Sequence, residues 1–310
     1  AKAPAAEEKP VIRPAASPAV RPQTETVRGQ QAKTVHRPQT GAMHRPQAET
    51  VRGQQDMATS PAPAGKRPGP EGTNPSPYAF GTIPENTSLR VRGHAKGNHA
   101  VRWVKKSRSY VEMASMYGLM RITPVAPDII RVSFVKGVTE KIAATGWMAK
   151  AEEAFSWSAR ESKSVVEIAA GEITVRVDKR SGAVSFWNRE NQLLLAENAA
   201  EPRVIGEEGS WVFFDWDKKE RIKAKGMLDT DFLDVTLNAR YISFGGKKHR
   251  MPLVLSNRGY GIAAAAKNTV LLCDIKTYGQ YLYAEGERQL DYYFICGEKP
   301  ENVITRYKGL

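Results

Sequence analysis

No phenylalanine, tryptophan or tyrosine occurs before Tyr78, although the 310-residue chain carries 9, 6 and 11 of them. A segment without aromatics and with few aliphatic residues cannot bury enough apolar surface to offset the entropy of its own ordering. The stretch before Tyr78 is therefore expected to form no core. Cysteine is nearly as scarce, with Cys273 in "VLLCDI" and Cys296 in "YYFICG" each set in an apolar run. That excludes a disulfide framework and predicts two buried free thiols. No apolar run approaches the roughly 18 residues of a membrane span, and the Ala- and Pro-rich start does not read as a secretory h-region. The default that follows is a cytoplasmic protein with no membrane partner. His36, His44, His94, His99 and His249 never reach metal-ligand spacing with a second ligand type, and no phosphate loop, nucleophile elbow or Cys–His pair is visible. No metal and no cofactor is expected.

What the chain does carry is a charge of +13, made of spaced Arg and Lys rather than dense runs. Without an accompanying recognition motif, this surplus supplies only non-specific attraction to polyanions, so no specific nucleic-acid partner is expected. The first part of the chain is also repetitive: "RPQTETVRGQQ" at Arg21 to Gln31 returns as "RPQAETVRGQQ" at Arg45 to Gln55. A stacking repeat must offer a hydrophobic face, and each copy offers a single valine, so the array reads as low complexity rather than a solenoid. Residues 1–77 are expected to be a disordered Pro/Gln/Arg-rich tail closed by the Pro- and Gly-rich run Ser60 to Phe80.

From Tyr78 onward the hydrophobic pattern has period two. "GLMRITPVAPDIIRVSFVKG" reads as strands at Gly118 to Ile122 and Ile129 to Val135 around a Pro-containing turn. Ile173, Val175 and Val177 alternate before a turn at Lys179 to Gly182, and Val184 and Phe186 follow. "RYISF", "PLVLS", "GIAAAA" with "TVLLCDI", and "QLDYYFIC" extend the series. Short alternating strands separated by turn signals predict an all-β fold, an antiparallel β-sandwich over residues 78–300. A helical pattern emerges at the end, where Glu301 opens a segment over residues 301–310 with Val303, Ile304 and Tyr307 on one face.

Candidate binding chemistry is sparse. "FFDWD" alternates so that Asp215 and Asp217 fall on one side and Phe214 and Trp216 on the other. That is either an edge strand with a buried aromatic face or a sugar-stacking platform. In "LDTDFLD", Asp229, Asp231 and Asp234 read as a solvated loop, since a hard-cation site needs six or more oxygens.

"PLVLSNRGYGI" makes physical sense as a hairpin, with Leu253 and Leu255 facing one way and Asn257 to Gly259 turning where glycine takes positive φ. It closely resembles the hairpin near the end of the N-terminal domain in glycoside hydrolase family 31, the α-glucosidase and α-xylosidase family. "DYYFICG" at Asp291 to Gly297 and the terminal "YKGL" resemble the family's strand and helix that lead into its catalytic barrel. "LMRITPVAPDIIRVSF" and "ITVRVDKRSGAVSFWN" look like that domain's opening strands. The resemblance implies a galactose-mutarotase-like sandwich packed against a (β/α)8 barrel. In the barrel, two Asp carboxylates about 5 Å apart perform retaining hydrolysis of an α-glucoside or α-xyloside. Those motifs follow the domain, so the chain is expected to stop before the barrel, to hold no catalytic residue and to be inactive alone. The face that would meet the barrel is expected to be exposed and to favour association. One departure is that the family's glycine-rich segment before the hairpin is missing or shortened, and only Asn238 and Arg240 suggest the family's second element there, an N-x-R-G. The alternative function is a stand-alone carbohydrate-binding module. Its candidate contacts are the rings of Trp211, Trp216 and Tyr241, taken as exposed, together with Asn238 and Arg240.

Overall fold

The computed structural model describes residues 77–91, 96–144, 155–228, 230–244 and 251–310. The disordered-tail expectation falls on residues outside this set, apart from Pro77, and so do Asp229 and His249. In chain order the strands are β1 (Trp103–Lys106), β2 (Val111–Ala114), β3 (Gly118–Ala126), β4 (Ile129–Lys136), β5 (Ser158–Glu161), β6 (Val165–Ala170), β7 (Ile173–Asp178), β8 (Val184–Trp187), β9 (Leu193–Ala196) and β10 (Arg203–Ile205). They continue with β11 (Gly209–Phe213), β12 (Ile222–Lys225), β13 (Phe232–Asp234), β14 (Ala239–Tyr241), β15 (Leu253–Ser256), β16 (Tyr260–Ala264), β17 (Val270–Ile275), β18 (Gly279–Glu285) and β19 (Gln289–Cys296), before helix α1 (Pro300–Lys308). Among the described residues no helix is long and apolar enough to cross a membrane.

The ladders are antiparallel and form three sheets: nine strands in the order β1-β2-β3-β4-β19-β16-β15-β12-β13, five in the order β10-β11-β18-β17-β14, and five in the order β5-β6-β7-β8-β9. Period-two alternation decides which residues enter the core. In β7, Ile173, Val175 and Val177 are buried while Thr174, Arg176 and Asp178 are not. The inner faces of both five-stranded sheets join one face of the nine-stranded sheet in a single cluster. Val175 and Phe186 come from one narrow sheet, Val212, Val270 and Leu282 from the other, and Ile130, Val132, Tyr292 and Phe294 from the face of the large sheet on which both pack. Phe186 and Phe294 stack with centroids 4.0 Å apart, a contact worth about 0.5–1.5 kcal/mol beyond the area it buries. The expected antiparallel sandwich is thus realised as one wide sheet faced by two narrow ones.

β3 runs further than its proline signal predicts. The strand passes through Pro124 to Ala126, and the chain turns at Pro127 and Asp128 instead. Register shifts between Pro124 and Ala126, and an irregular ladder is where a residue without an N–H can be held inside a strand.

The opposite face of the large sheet carries a smaller apolar cluster, Ile129, Met251, Leu253, Leu255, Tyr293 and Ile295 among it, and α1 covers it with Val303, Ile304 and Tyr307. The helical face is the one the sequence predicts. It starts one residue early because Pro300 occupies the first turn, where its missing N–H is not needed. Glycines make the docking close: a Cβ at Gly261 would meet Val303 Cγ1 at 2.6 Å, and one at Gly297 would meet Val303 Cγ2 at 2.5 Å. Arg306 holds the helix from its far end, pairing with Asp128 and with Glu172 at 3.2 Å. Tyr307 donates its hydroxyl to the Met251 carbonyl at 2.6 Å.

Across the same face, a single row of paired residues runs Lys105, Glu112, Arg121, Ser133, Asp291 from strand to strand. Arg121 donates to Glu112 at 2.7 Å, Ser133 to Asp291 at 2.9 Å, and Arg131 Nε to Asp291 at 2.7 Å. Next to Lys105, and by strand alternation on the other face of the sheet, Lys106 Nζ donates to the Ala159 carbonyl at 2.9 Å, joining β1 and β5, the edge strands of two different sheets.

Candidate functional site

The ring residues singled out in the sequence do not lie open. Trp211 on β11 and Tyr241 at the end of β14 share the outer face of the second sheet, with exposures of 5% and 6%. Residues 78–91 roof that face. Tyr78 stacks on Tyr241 at 3.9 Å, Gly81 N–H donates to the Tyr241 carbonyl at 2.8 Å, and the Tyr281 hydroxyl donates to the Leu89 carbonyl at 2.7 Å. Trp211 stacks instead on Tyr283, 4.5 Å away. Trp216 lies in the main core beside Phe214, because the alternation in "FFDWD" turns both rings inward and leaves Asp215 and Asp217 outside. The premise that these three rings are exposed is therefore corrected: aromatic area this large is stabilised by burial whenever a neighbouring segment can cover it. Asn238 and Arg240 are half-buried and engage each other, Arg240 Nη1 donating to Asn238 Oδ1 at 2.7 Å and to the Ala239 carbonyl at 2.8 Å.

Beside the roof, three turns from distant parts of the chain meet around an open groove of about 510 Å³ lined by Arg90, Val91, Glu201, Phe213, Thr277 and Tyr278. Each turn is fixed by its own hydrogen bonds. Leu89, bound by Tyr281, sets where Arg90 and Val91 enter. Asn198 Oδ1 accepts the N–H groups of Ala200 and Glu201, each at 3.0 Å, and Tyr278 N–H donates to the Ile275 carbonyl at 2.9 Å. Phe213 meets Tyr281 edge to face at 5.6 Å. Of these residues the sequence points only to Phe213, through its place in the aromatic run. Nothing in the order of residues brings positions 90, 201 and 278 together.

The chemistry available elsewhere is structural. The buried carboxylates among the described residues are Glu112, Glu197, Glu220, Asp274 and Asp291, and each accepts hydrogen bonds from fixed partners. Glu197 takes Arg203 at 2.6 Å, the Val184 N–H at 2.8 Å and the Tyr292 hydroxyl at 2.9 Å, while its complete burial raises its pKa above the ordinary carboxylate range. Glu220 accepts from the hydroxyls of Ser256 and Tyr260 and pins the "PLVLSNRGYGI" hairpin, where Gly259 adopts φ +81°. Of the "LDTDFLD" acids, Asp231 and Asp234 are exposed, and Asp234 caps the Thr236 N–H at 2.9 Å. Among the described residues no three His, Cys, Asp or Glu side chains converge as metal ligands. Cys273 and Cys296 are buried free thiols, and burial raises the Cys273 pKa to about 11.

No protein-family profile matches the sequence, and no curated protein matches it. Solved structures do match the fold. A glycoside hydrolase family 31 α-xylosidase from a soil metagenome, complexed with xylose, aligns with 67% of this chain at a TM-score of 0.58 and 18% identity. A family 31 dextranase from Flavobacterium johnsoniae, complexed with isomaltotriose, aligns with the same share at 0.57 and 14%, and a cycloalternan-forming enzyme from Listeria monocytogenes at 0.55 and 15%. The alignment covers 34%, 27% and 22% of those chains, so this chain spans about a third or less of their length. The described domain thus has the fold of one part of glycoside hydrolase family 31 enzymes.

Proposed function

We propose that this chain provides the non-catalytic β-domain of a family 31 glycoside hydrolase. On this reading, retaining hydrolysis of an α-glucoside or α-xyloside is performed by two carboxylates in a (β/α)8 barrel outside the described fold. The observation that carries it is the partial alignment: two thirds of this chain superposes on a third or less of larger carbohydrate-active enzymes. The resemblance of "PLVLSNRGYGI" and "DYYFICG" to that family's domain supports it, since those segments are β15, β16 and β19, the central strands under α1. The engagement of every buried carboxylate among the described residues in structural bonds supports inactivity of the isolated domain. In this reading residues 1–77 are a basic extension, residues 78–300 the sandwich and residues 301–310 the helix that leads to the barrel, and the enzyme acts in the cytoplasm.

The test has two parts. Purified chain is incubated with aryl α-glucoside and α-xyloside, and no turnover is expected. The coding sequence downstream of the Leu310 codon is then read, and a barrel with two acidic motifs is expected. Turnover by the chain alone, or a downstream sequence without such a barrel, overturns the proposal.

A further inference from the structure

The segment "RWVKKSRSY", Arg102 to Tyr110, interleaves four cations with two aromatic residues and contains no acid. It forms β1 and the turn that follows, at one edge of the nine-stranded sheet. The edge of the third sheet runs beside it in the opposite direction. Lys106 Nζ reaches the Ala159 carbonyl, and Val101 N–H donates to the Lys179 carbonyl at 2.8 Å, while Lys179 N–H donates to the Ser164 carbonyl at 2.8 Å. Two sheet edges thus form one rim of the sandwich. We propose that this rim is a binding surface for single-stranded nucleic acid, without base preference. It takes nothing from the hydrolase reading.

Charge calls for a polyanion. Lys105 and Arg160 flank the rim, and Arg108 and Lys163 sit on the turns at its two ends. All four are exposed, and among the described residues none of them is in an ion pair. The neighbouring acids are already engaged: Glu161 pairs with Lys179 at 2.8 Å, Glu112 with Arg121 at 2.7 Å and Glu167 with Arg176 at 2.9 Å, and Asp178 accepts the Ser181 N–H at 2.7 Å. The rim therefore presents positive charge that the fold does not neutralise, and release of counterions from a bound polyanion drives association with it.

Trp103 selects among polyanions. Its ring is 45% exposed, and among the described residues its side chain has no ring contact and no hydrogen bond. It lies two residues before Lys105 on the same face of β1, so a base can stack on the indole while the adjoining phosphate meets the ammonium group. A duplex keeps its bases stacked on one another and offers the ring no free base face. A bilayer fits less well for a different reason. Lys105 sits opposite Glu112 on the outer face of the first sheet, and Arg160 opposite Glu167 on the outer face of the third. A flat surface meets one flank at a time, whereas a flexible strand laid along the rim reaches both.

The experiment follows the fluorescence anisotropy of a labelled oligothymidylate of about 20 nucleotides, titrated with the full chain at about 0.15 M salt and then across a salt series. It is repeated on Trp103→Ala and on a variant combining Lys105→Ser, Arg108→Ser, Arg160→Ser and Lys163→Ser. Lys106 is kept because it holds the two edges together, and circular dichroism reports folding. The wild-type chain is expected to bind saturably. The combined variant is expected to bind about tenfold or more weakly, and its slope of log affinity against log salt to be shallower by about 3, at about 0.7 per phosphate contact on a single strand. Trp103→Ala is expected to weaken binding several-fold with the slope unchanged, because stacking releases no counterions. The N-terminal repeats also carry arginines, and binding that the combined variant leaves unchanged would assign the affinity away from the rim and overturn the proposal. So would no binding of the oligonucleotide, tighter binding of a duplex of the same length, or capture by phosphatidylserine vesicles in its place.

Discussion

Arg203 and Glu197 form an ion pair where the three sheets meet, Nη1 to Oε2 at 2.6 Å, with side-chain exposures of 1% and 0%. Arg203 belongs to the second sheet, Glu197 follows the third, and Tyr292, which also binds Glu197, belongs to the first. Removing either charge leaves the other buried and unpaired. Arg203→Met or Glu197→Leu alone is expected to cost about 3–5 kcal/mol, and the double substitution less than the sum. Urea denaturation of the three variants measures this, and strictly additive losses would refute the coupling.

His99 makes stability depend on acid. It lies against the rings of Tyr117 and Phe134, at 4.5 and 5.7 Å, and its burial first, then the charge of Arg203, lower its pKa from 6.5 to about 3. Below pH 6.5 the unfolded chain binds a proton that the folded chain refuses until about pH 3. The histidine's contribution is therefore complete above pH 6.5 and declines by about 1.4 kcal/mol per unit as pH falls through that window. Glu197, with its raised pKa, acts in the opposite sense, so the quantity to measure is the difference in urea midpoint between the wild-type chain and His99→Gln. That difference is expected to shrink as pH falls from 7 to 4.5, and a constant difference would contradict the assignment.

Helix α1 depends on two missing side chains. Gly261→Ala or Gly297→Ala places a methyl group within about 2.6 Å of Val303. Each should cost roughly 1–3 kcal/mol by overpacking. Hydrogen exchange is expected to quicken in residues 300–308 first, with the sheets retaining their protection. Uniform acceleration throughout the domain would show that the helix is not a separable unit.

Apolar exposure is concentrated at the link between β12 and β13, where Met227 is 50% and Leu228 69% exposed, with Phe232 beside them. The chain is expected to self-associate through this tip at high concentration. Met227→Ser with Leu228→Ser should lower the sedimentation-derived association constant several-fold, and an unchanged value would move the contact elsewhere.

The sandwich was legible because alternation is a local property. Ile173, Val175 and Val177 announce their burial two residues apart, and Val303, Ile304 and Tyr307 announce a helical face. The fate of the aromatic rings was not legible in the same way. Whether Tyr241 meets solvent depends on residues 78–91, a segment without periodicity that crosses it from far away in the chain, and Trp211 stacks on Tyr283 from a strand far along the sequence. β1 and β2 were also unreadable: "WVKK" and "VEMA" are too short and too mixed to show a period, and their pairing with β3 defines them. The groove is the extreme case, assembled from three turns whose only common property is where the sheets carry them.

The bond from Lys106 to the Ala159 carbonyl does more than join two strands. An unpaired edge is a template on which a second molecule can add a strand, and among the described residues both β1 and β5 are edge strands. One ammonium group laid across the two of them, with Lys105 and Arg160 exposed alongside, occupies an acceptor and repels an identical edge by like charge. At this rim strand addition by a second copy is expected to be disfavoured, leaving contact between copies to side chains rather than to backbone.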